Sequence, residues 1–141
     1  MYCRQKILFL CTGNSCRSQM AEGWTQHLKH EVIKPYSAGI LTQELNPRAV
    51  AVMKEVGVDI SHHFSKSLES IINIPFDHVI TVCNQAVQSC PVFPKKTRVT
   101  HASFDDPPNL AKSSKNEEEA LSHFRRVKDE IRVFVETLPL K

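Results

Sequence analysis

Lys6-Ile-Leu-Phe-Leu-Cys-Thr-Gly-Asn-Ser-Cys-Arg-Ser18 carries the reading of the fold. Lys6 to Cys11 is an apolar run of the kind that a parallel strand, covered on both faces, requires. Thr12-Gly-Asn-Ser15 is polar and turn-forming. A helical pattern begins at Cys16, with Met20, Trp24 and Leu28 at i, i+4 and i+8 on one face. Strand, short polar loop and amphipathic helix, in that order, is how a parallel α/β sheet is built.

The same alternation continues outward. A second strand is expected over Val32 to Ser37, ended by Gly39. Asn46-Pro47 is a helix cap followed by proline in the first turn. Ala49, Val50, Met53 and Val56 give that helix an apolar face, and Gly57 can end it in the left-handed conformation. His78 to Cys83 reads as a third strand and Arg98 to Ala102 as a short fourth. Asn84 to Cys90 lacks glycine and proline and is free to form a short helix. Asp105-Asp-Pro-Pro108 is expected to break regular structure, and Lys112 to Glu119 to be a polar loop. Leu121, Phe124, Val127, Ile131, Phe134, Val135 and Leu138 recur at three- and four-residue steps and mark the clearest helix. No repeat or linker divides the chain, so residues 1–141 form one α/β domain around a short parallel sheet.

With 18 basic and 15 acidic residues the net charge is +3, too small to draw nucleic acid or a membrane surface strongly. No apolar run approaches the roughly 18 residues of a membrane span. The start Met1-Tyr-Cys-Arg-Gln-Lys6 lacks the layout of a secretory leader, and a cytoplasmic protein is expected. The 5 cysteines (Cys3, Cys11, Cys16, Cys83, Cys90) are an odd number, which argues against a disulfide framework. Their spacing, and the scatter of the histidines outside His62-His63, do not match a zinc site, so no metal is expected.

Catalysis is the better use for a thiol here. Cys11 ends a strand at the edge where open α/β sheets bind ligands. The loop after it leads into a helix N-terminus, where unpaired N–H groups and the dipole favour an anion. The N–H groups of Thr12, Gly13, Asn14, Ser15, Cys16 and Arg17 are the expected oxyanion cradle. The Arg17 guanidinium offers a planar fork for two oxygens of a tetrahedral anion. Those donors, Arg17 and the Ser18 hydroxyl should depress the Cys11 pKa and make it a nucleophile. The Cys16 side chain is expected to pack rather than react.

Cys11-Thr-Gly-Asn-Ser-Cys-Arg-Ser18 resembles the CX5R(S/T) phosphate loop of low-molecular-weight protein tyrosine phosphatases. Cys11 through Trp24 is more similar still to the thioredoxin-coupled arsenate reductases built on that fold. The likeness continues through Tyr36-Ser-Ala-Gly39, Asn46-Pro47, Asp59-Ile-Ser61, the Cys83/Cys90 pair and Phe104-Asp-Asp-Pro107 into the last helix.

The resemblance implies a four-stranded parallel sheet flanked by helices and a cytoplasmic monomer without cofactors. It implies reduction of arsenate to arsenite, hence arsenic detoxification, with phosphate as a competing oxyanion. Cys11, Cys83 and Cys90 would form a thiol relay regenerated by thioredoxin. Cys83 closes a strand expected next to the first, and so can reach the same sheet edge as Cys11. Asp106, directly before proline, would be the general acid; Asp105 is the alternative, and the resemblance favours Asp106. The competing reading is a phosphatase working through a Cys11 phospho-enzyme. Against it, Pro108-Asn-Leu110 supplies none of the tyrosines that such phosphatases place after Asp-Pro. Related reductases bind a monovalent cation through residues matching Asn14, Glu22, Ser37 and an aspartate. Lys66 stands at the aspartate's position, which implies an ammonium in the cation's place.

Overall fold

β1 (Gln5–Cys11) runs through the interior of the sheet, paired in parallel with β2 (Ile33–Gly39) on one side and β3 (His78–Thr81) on the other. β4 (Arg98–His101) pairs in parallel with β3, which gives the order β2-β1-β3-β4. The structure is a computed structural model and describes residues 4–84 and 90–140. Ile7, Leu8, Phe9 and Leu10 are fully buried, as an unbroken apolar run in a doubly covered strand demands. The helices are α1 (Arg17–Lys29), α2 (Pro47–Glu55), α3 (Leu68–Ile71), α4 (Pro107–Ala111) and α5 (Glu117–Glu136). The expected single α/β domain with a four-stranded parallel sheet is what the chain forms.

α1 packs against β1, β2 and α5, and Trp24 Nε1 donates to the Lys128 carbonyl at 3.1 Å. On α5 the core positions are Phe124, Val127, Ile131 and Val135, all fully buried, at the three- and four-residue steps of the sequence. Burial of each such side chain contributes on the order of 1.5–3 kcal/mol. The Asn46 side chain accepts from the Arg48 and Ala49 N–H groups and caps α2, and Gly57 follows that helix at φ +81°.

Chain order reverses about β1: the path leaves to β2 on one side and returns to β3 on the other. Such a switch point opens a crevice at the carboxyl ends of the two neighbouring strands. The loop after β1 and the residues after β3 therefore face one another there.

Several boundaries differ from the sequence expectation. β2 runs to Gly39, because Cys11 and Gly39 are register partners and β1 continues that far. β3 stops at Thr81, so Cys83 does not close a strand; β1 leaves the sheet at Cys11, and a residue at 83 has no strand partner to continue beside. α1 begins at Arg17. Asp105-Asp-Pro-Pro108 does not break structure but starts it. Asp106 is the N-cap of α4 and the two prolines occupy its first turn, where a missing N–H costs nothing. Asn116 caps α5, so helix replaces loop from Glu117 onward. The four-residue α3 has no period long enough to be read in advance. The helix expected over 84–90 falls, through residues 85–89, outside the described residues, as does Cys3.

Candidate active site

The loop between β1 and α1 is held by its carbonyls. Cys11 O accepts from Ile40 N (3.1 Å), Thr12 O from Leu41 N (2.8 Å), Gly13 O from Gln43 N (3.0 Å) and Ser15 O from Asn46 N (2.9 Å). In a trans peptide the C=O and the following N–H point in opposite directions. Tying those four carbonyls to the 40–46 segment therefore turns the N–H groups of Thr12, Gly13, Asn14 and Cys16 the other way. The seam is tight at Gly39. A Cβ there would lie 2.4 Å from the Leu41 carbonyl oxygen and 2.8 Å from the Asn14 nitrogen, so only glycine lets β2 end against the loop.

Asn14 is the loop's one non-glycine residue at positive φ among the described residues, at 51°. Its polar atoms hold it there. Asn14 Nδ2 donates to Ser18 Oγ at 2.9 Å, and Asn14 Oδ1 accepts from Gln19 Nε2 (3.0 Å) and Lys66 N (2.8 Å). The Asn14 carbonyl accepts from Gln19 Nε2 and Ser65 Oγ. His63 Nδ1 lies 2.9 Å from Gln19 Oε1 and fixes that amide in turn. Sequence reasoning missed Gln19, His63 and Ser65; an uncharged Gln on a helix and a Ser in a loop carry no signal until the fold places them behind Asn14. Ser18, expected to act on the thiolate, is fully buried and engaged with Asn14, so its described contact bears on loop shape.

The cleft above the loop encloses about 380 Å³ and is lined by Cys11, Thr12, Gly13, Ser15, Cys16 and Arg17, with Asp106, Asn109 and Lys112 across the opening. Arg17 is largely buried; its Nη1 donates to the Phe104 carbonyl at 2.9 Å and its Nη2 lies 3.8 Å from Asp106 Oδ2. Phe104 follows β4, so the last strand delivers both the anchor of Arg17 and the Asp106 carboxylate. Asp105 turns away to Arg126 Nη2 at 3.0 Å and does not line the cleft.

Cys83 meets Cys11 across the switch point. Its Sγ lies 3.3 Å from Thr12 Oγ1, and it hydrogen-bonds with the Cys11 thiol; both cysteines are buried and reduced. This overturns one expectation. The Cys11 pKa is not depressed but held well above the ordinary thiol value, first by the hydrogen bond with Cys83 and then by burial. Arg17 and the Thr12 N–H pull in the other direction without prevailing. Cys16 packs in the core as expected, and its burial pushes its thiol up too. Cys90 is half-buried, with its pKa raised by that burial.

Behind the loop, Lys66 Nζ lies 3.8 Å from Glu22 Oε1, and Ser37 Oγ donates to the same oxygen at 2.5 Å. The Lys66 ammonium also donates to the Phe64 carbonyl at 3.1 Å. Among the described residues no group of three or more His, Cys, Asp or Glu is placed to hold a metal ion, and no helix is long and apolar enough to cross a membrane.

This geometry matches known proteins over almost its whole length. Residues 6–139 match the family described as low molecular weight phosphotyrosine protein phosphatase. The chain belongs to that family. Within it, the chain is similar to arsenate reductases. It is 50% identical over 125 residues to the arsenate reductase of Bacillus subtilis, covering 89% of this chain and 88% of that one. Arsenate reductase 1 of Staphylococcus epidermidis is 46% identical over 134 residues, 95% of each chain. Among solved structures, an arsenate reductase in the oxidized state superposes with a TM-score of 0.80 at 32% identity over 95% of each chain. A thioredoxin-dependent arsenate reductase of Corynebacterium glutamicum gives 0.68 at 25% identity, over 97% of this chain and 63% of that one.

Proposed function

We propose that the protein reduces arsenate to arsenite through a relay of Cys11, Cys83 and Cys90, with thioredoxin as the final reductant. The observation that carries this reading is the contact of Cys83 with Cys11 and Thr12 at the mouth of an oxyanion loop. Hydrolysis of a phosphoester needs one nucleophilic thiol; a second one against it is what a two-electron transfer needs. The names of the relatives, arsenate reductases at 46–50% identity, support the substrate. The thioredoxin-dependent neighbour supports the reductant.

Arsenate enters the cradle of Thr12 to Arg17, with the guanidinium gripping two oxygens. Cys11 passes its proton to an arsenate oxygen as its sulfur attacks arsenic; a sulfur–arsenic bond forms and one oxygen leaves as water, protonated by Asp106. Cys83 thiolate then attacks the Cys11 sulfur. The sulfur–arsenic bond breaks, its electron pair stays on arsenic, and arsenite departs while a Cys11–Cys83 disulfide remains. Cys90 thiolate attacks Cys83, expelling Cys11 as thiolate and leaving a Cys83–Cys90 disulfide. Two thiols of thioredoxin reduce that bond and become a disulfide themselves. One arsenate has then taken up two electrons, and the protein is back to three thiols.

Phosphate fits the same cradle, so slow phosphomonoester hydrolysis follows as a side activity. The cleft favours it little, since Pro108, Asn109 and Lys112 line the rim where a phosphotyrosine ring would need an aromatic surface. The test is arsenate turnover in an assay coupled to thioredoxin and its reductase, beside hydrolysis of an aryl phosphate. Rapid turnover in the first and slow hydrolysis in the second is the expected result. Fast hydrolysis without arsenate turnover would make the protein a phosphatase.

A further inference from the structure

Lys112, at the far end of α4 from Asp106, lines the same cleft and has no part in the chemistry above. Its place follows from the local sequence. Pro107 and Pro108 fix φ in the first turn of the helix. Leu110 N donates to the Asp106 carbonyl at 3.1 Å, and Lys112 N to the Asn109 carbonyl at 3.3 Å. Pro107 and Ala111 are buried, which seats the short helix and leaves Lys112, just past its end, exposed at the rim. The other charges of the cleft give an incoming anion little to follow. Arg17 is recessed, with 12% of its side chain exposed, and Asp106 already stands 3.8 Å from its Nη2. Opposite charges that close largely cancel each other's field at the opening. Glu44 also lines the cleft and repels anions. Lys112 is the remaining cation of the lining, and among the described residues no carboxylate pairs with its ammonium.

We propose that Lys112 is the capture residue for the substrate oxyanion; the proposal rests on the reading of the cleft as an oxyanion site and names the charge that fills it. A charge at the mouth of a cleft raises the local concentration of its counter-ion and speeds its arrival. A lysine suits that task. Its ammonium is a hydrated point charge on a flexible stem, which attracts an anion without fixing its geometry. The planar fork of Arg17, deeper in the cleft, then sets the orientation. The division is one of stages: Lys112 sets how readily arsenate or phosphate enters, and Arg17 sets how it lies for attack by Cys11.

The test compares Lys112→Met, Lys112→Arg and Lys115→Met with the wild type. Lys115 loses the same charge but does not line the cleft. In thioredoxin-driven turnover at ~10 mM sodium chloride, Lys112→Met should lower kcat/KM for arsenate about three- to tenfold, with the loss in KM. At ~1 M salt, where charges are screened beyond about 3 Å, the difference from wild type should vanish. Lys112→Arg keeps the charge and should stay within about twofold of wild type. A second readout does not depend on turnover. The ratio of Cys11 alkylation by anionic iodoacetate to that by neutral iodoacetamide, followed by mass spectrometry, cancels any change in the thiolate fraction. That ratio should fall in Lys112→Met and hold in Lys115→Met. Unchanged KM and ratio in Lys112→Met overturn the proposal. So does an equal loss in Lys115→Met, which would make the effect one of net charge, or a loss indifferent to salt, which would make it one of packing. Failure of the arsenate reading looks different: the wild type would then turn over no arsenate, while the alkylation ratio would still decide the role of Lys112.

Discussion

The sulfur of Cys83 lies 3.3 Å from the hydroxyl of Thr12, the residue directly after Cys11. That proximity brings the residues after β3 against the loop after β1 and sets the Cys83 thiol beside that of Cys11. The hydrogen bond with Cys83 is the leading cause of the raised Cys11 pKa. Removing the Cys83 thiol should therefore lower the pH at which Cys11 becomes a thiolate, since Arg17 and the Thr12 N–H remain to favour the charge. In Cys83→Ala, alkylation of Cys11 by iodoacetamide, followed site by site with mass spectrometry, should reach its midpoint at lower pH than in the reduced wild type. A midpoint unchanged or moved upward would mean that burial, not Cys83, holds the proton on.

The proposed relay separates the cysteines by reaction. Cys11→Ser should abolish both arsenate turnover and aryl phosphate hydrolysis, because a hydroxyl at neutral pH is a far weaker nucleophile than a thiolate. Cys83→Ser and Cys90→Ser should lose thioredoxin-driven arsenate turnover and keep the hydrolysis. Wild-type arsenate turnover in Cys83→Ser would exclude the relay.

The two adjacent aspartates have different surroundings and should behave differently. Asp106 faces Arg17 in the cleft, whereas Asp105 pairs with Arg126 on the surface. Asp106→Asn should slow the first chemical step by about 10²–10⁴-fold with little change in phosphate affinity. Asp105→Asn loses an exposed ion pair and should cost at most about 1 kcal/mol of stability. Single-turnover kinetics and phosphate titration measure both, and the reverse pattern would move the acid to Asp105.

How much of this was legible in the sequence depends on how local each signal is. β1, the loop and α1 are contiguous, so the apolar run at Lys6 to Cys11 and the period of Met20 and Trp24 were enough to read them. Cys11 and Arg17 lie within that stretch and could be placed in one cleft. The Asn46 cap was equally local. The prolines at 107 and 108 misled, because proline is forbidden inside a helix but favoured at its start, and nothing in the residues alone says which end is being read. The Cys11 pKa misled for a different reason. Arg17 and the loop N–H groups were visible in the sequence, but the opposing contact comes from a residue 72 positions away, brought near by parallel pairing of β1 and β3.

Asn14 illustrates the part that needed the fold. Its left-handed backbone is held by partners from α1 and from the 63–66 segment. Asn14→Ala keeps the backbone requirement and removes the side-chain bonds, leaving buried donors and acceptors without partners, and should cost about 1–3 kcal/mol. Asn14→Gly loses the same bonds but suits a φ of 51° and should cost less. Denaturant unfolding of both variants decides this. Equal losses would mean that backbone strain contributes nothing; no loss in either would mean that the network does not hold the loop.

Lys66 yields the last prediction. Its ammonium lies 3.8 Å from Glu22, the carboxylate that also accepts from Ser37, while its backbone N–H bonds Asn14. Glu22 thus has a fixed positive charge beside it, covalently supplied by the chain, and His63 Nε2 lies 3.9 Å from its other oxygen. Adding potassium in place of a bulky organic cation, at matched ionic strength, should leave both the melting temperature and arsenate turnover unchanged. Lys66→Asp places a second carboxylate beside Glu22, and like charges at that distance repel. That variant should melt below the wild type in the organic cation and recover part of the loss in potassium, since a small ion can then sit between the two carboxylates. Thermal melts of both proteins in both salts make the comparison. A potassium-specific rise in the wild type would show that the ammonium does not fill the place; a Lys66→Asp variant indifferent to potassium would show that no cation place exists behind the loop.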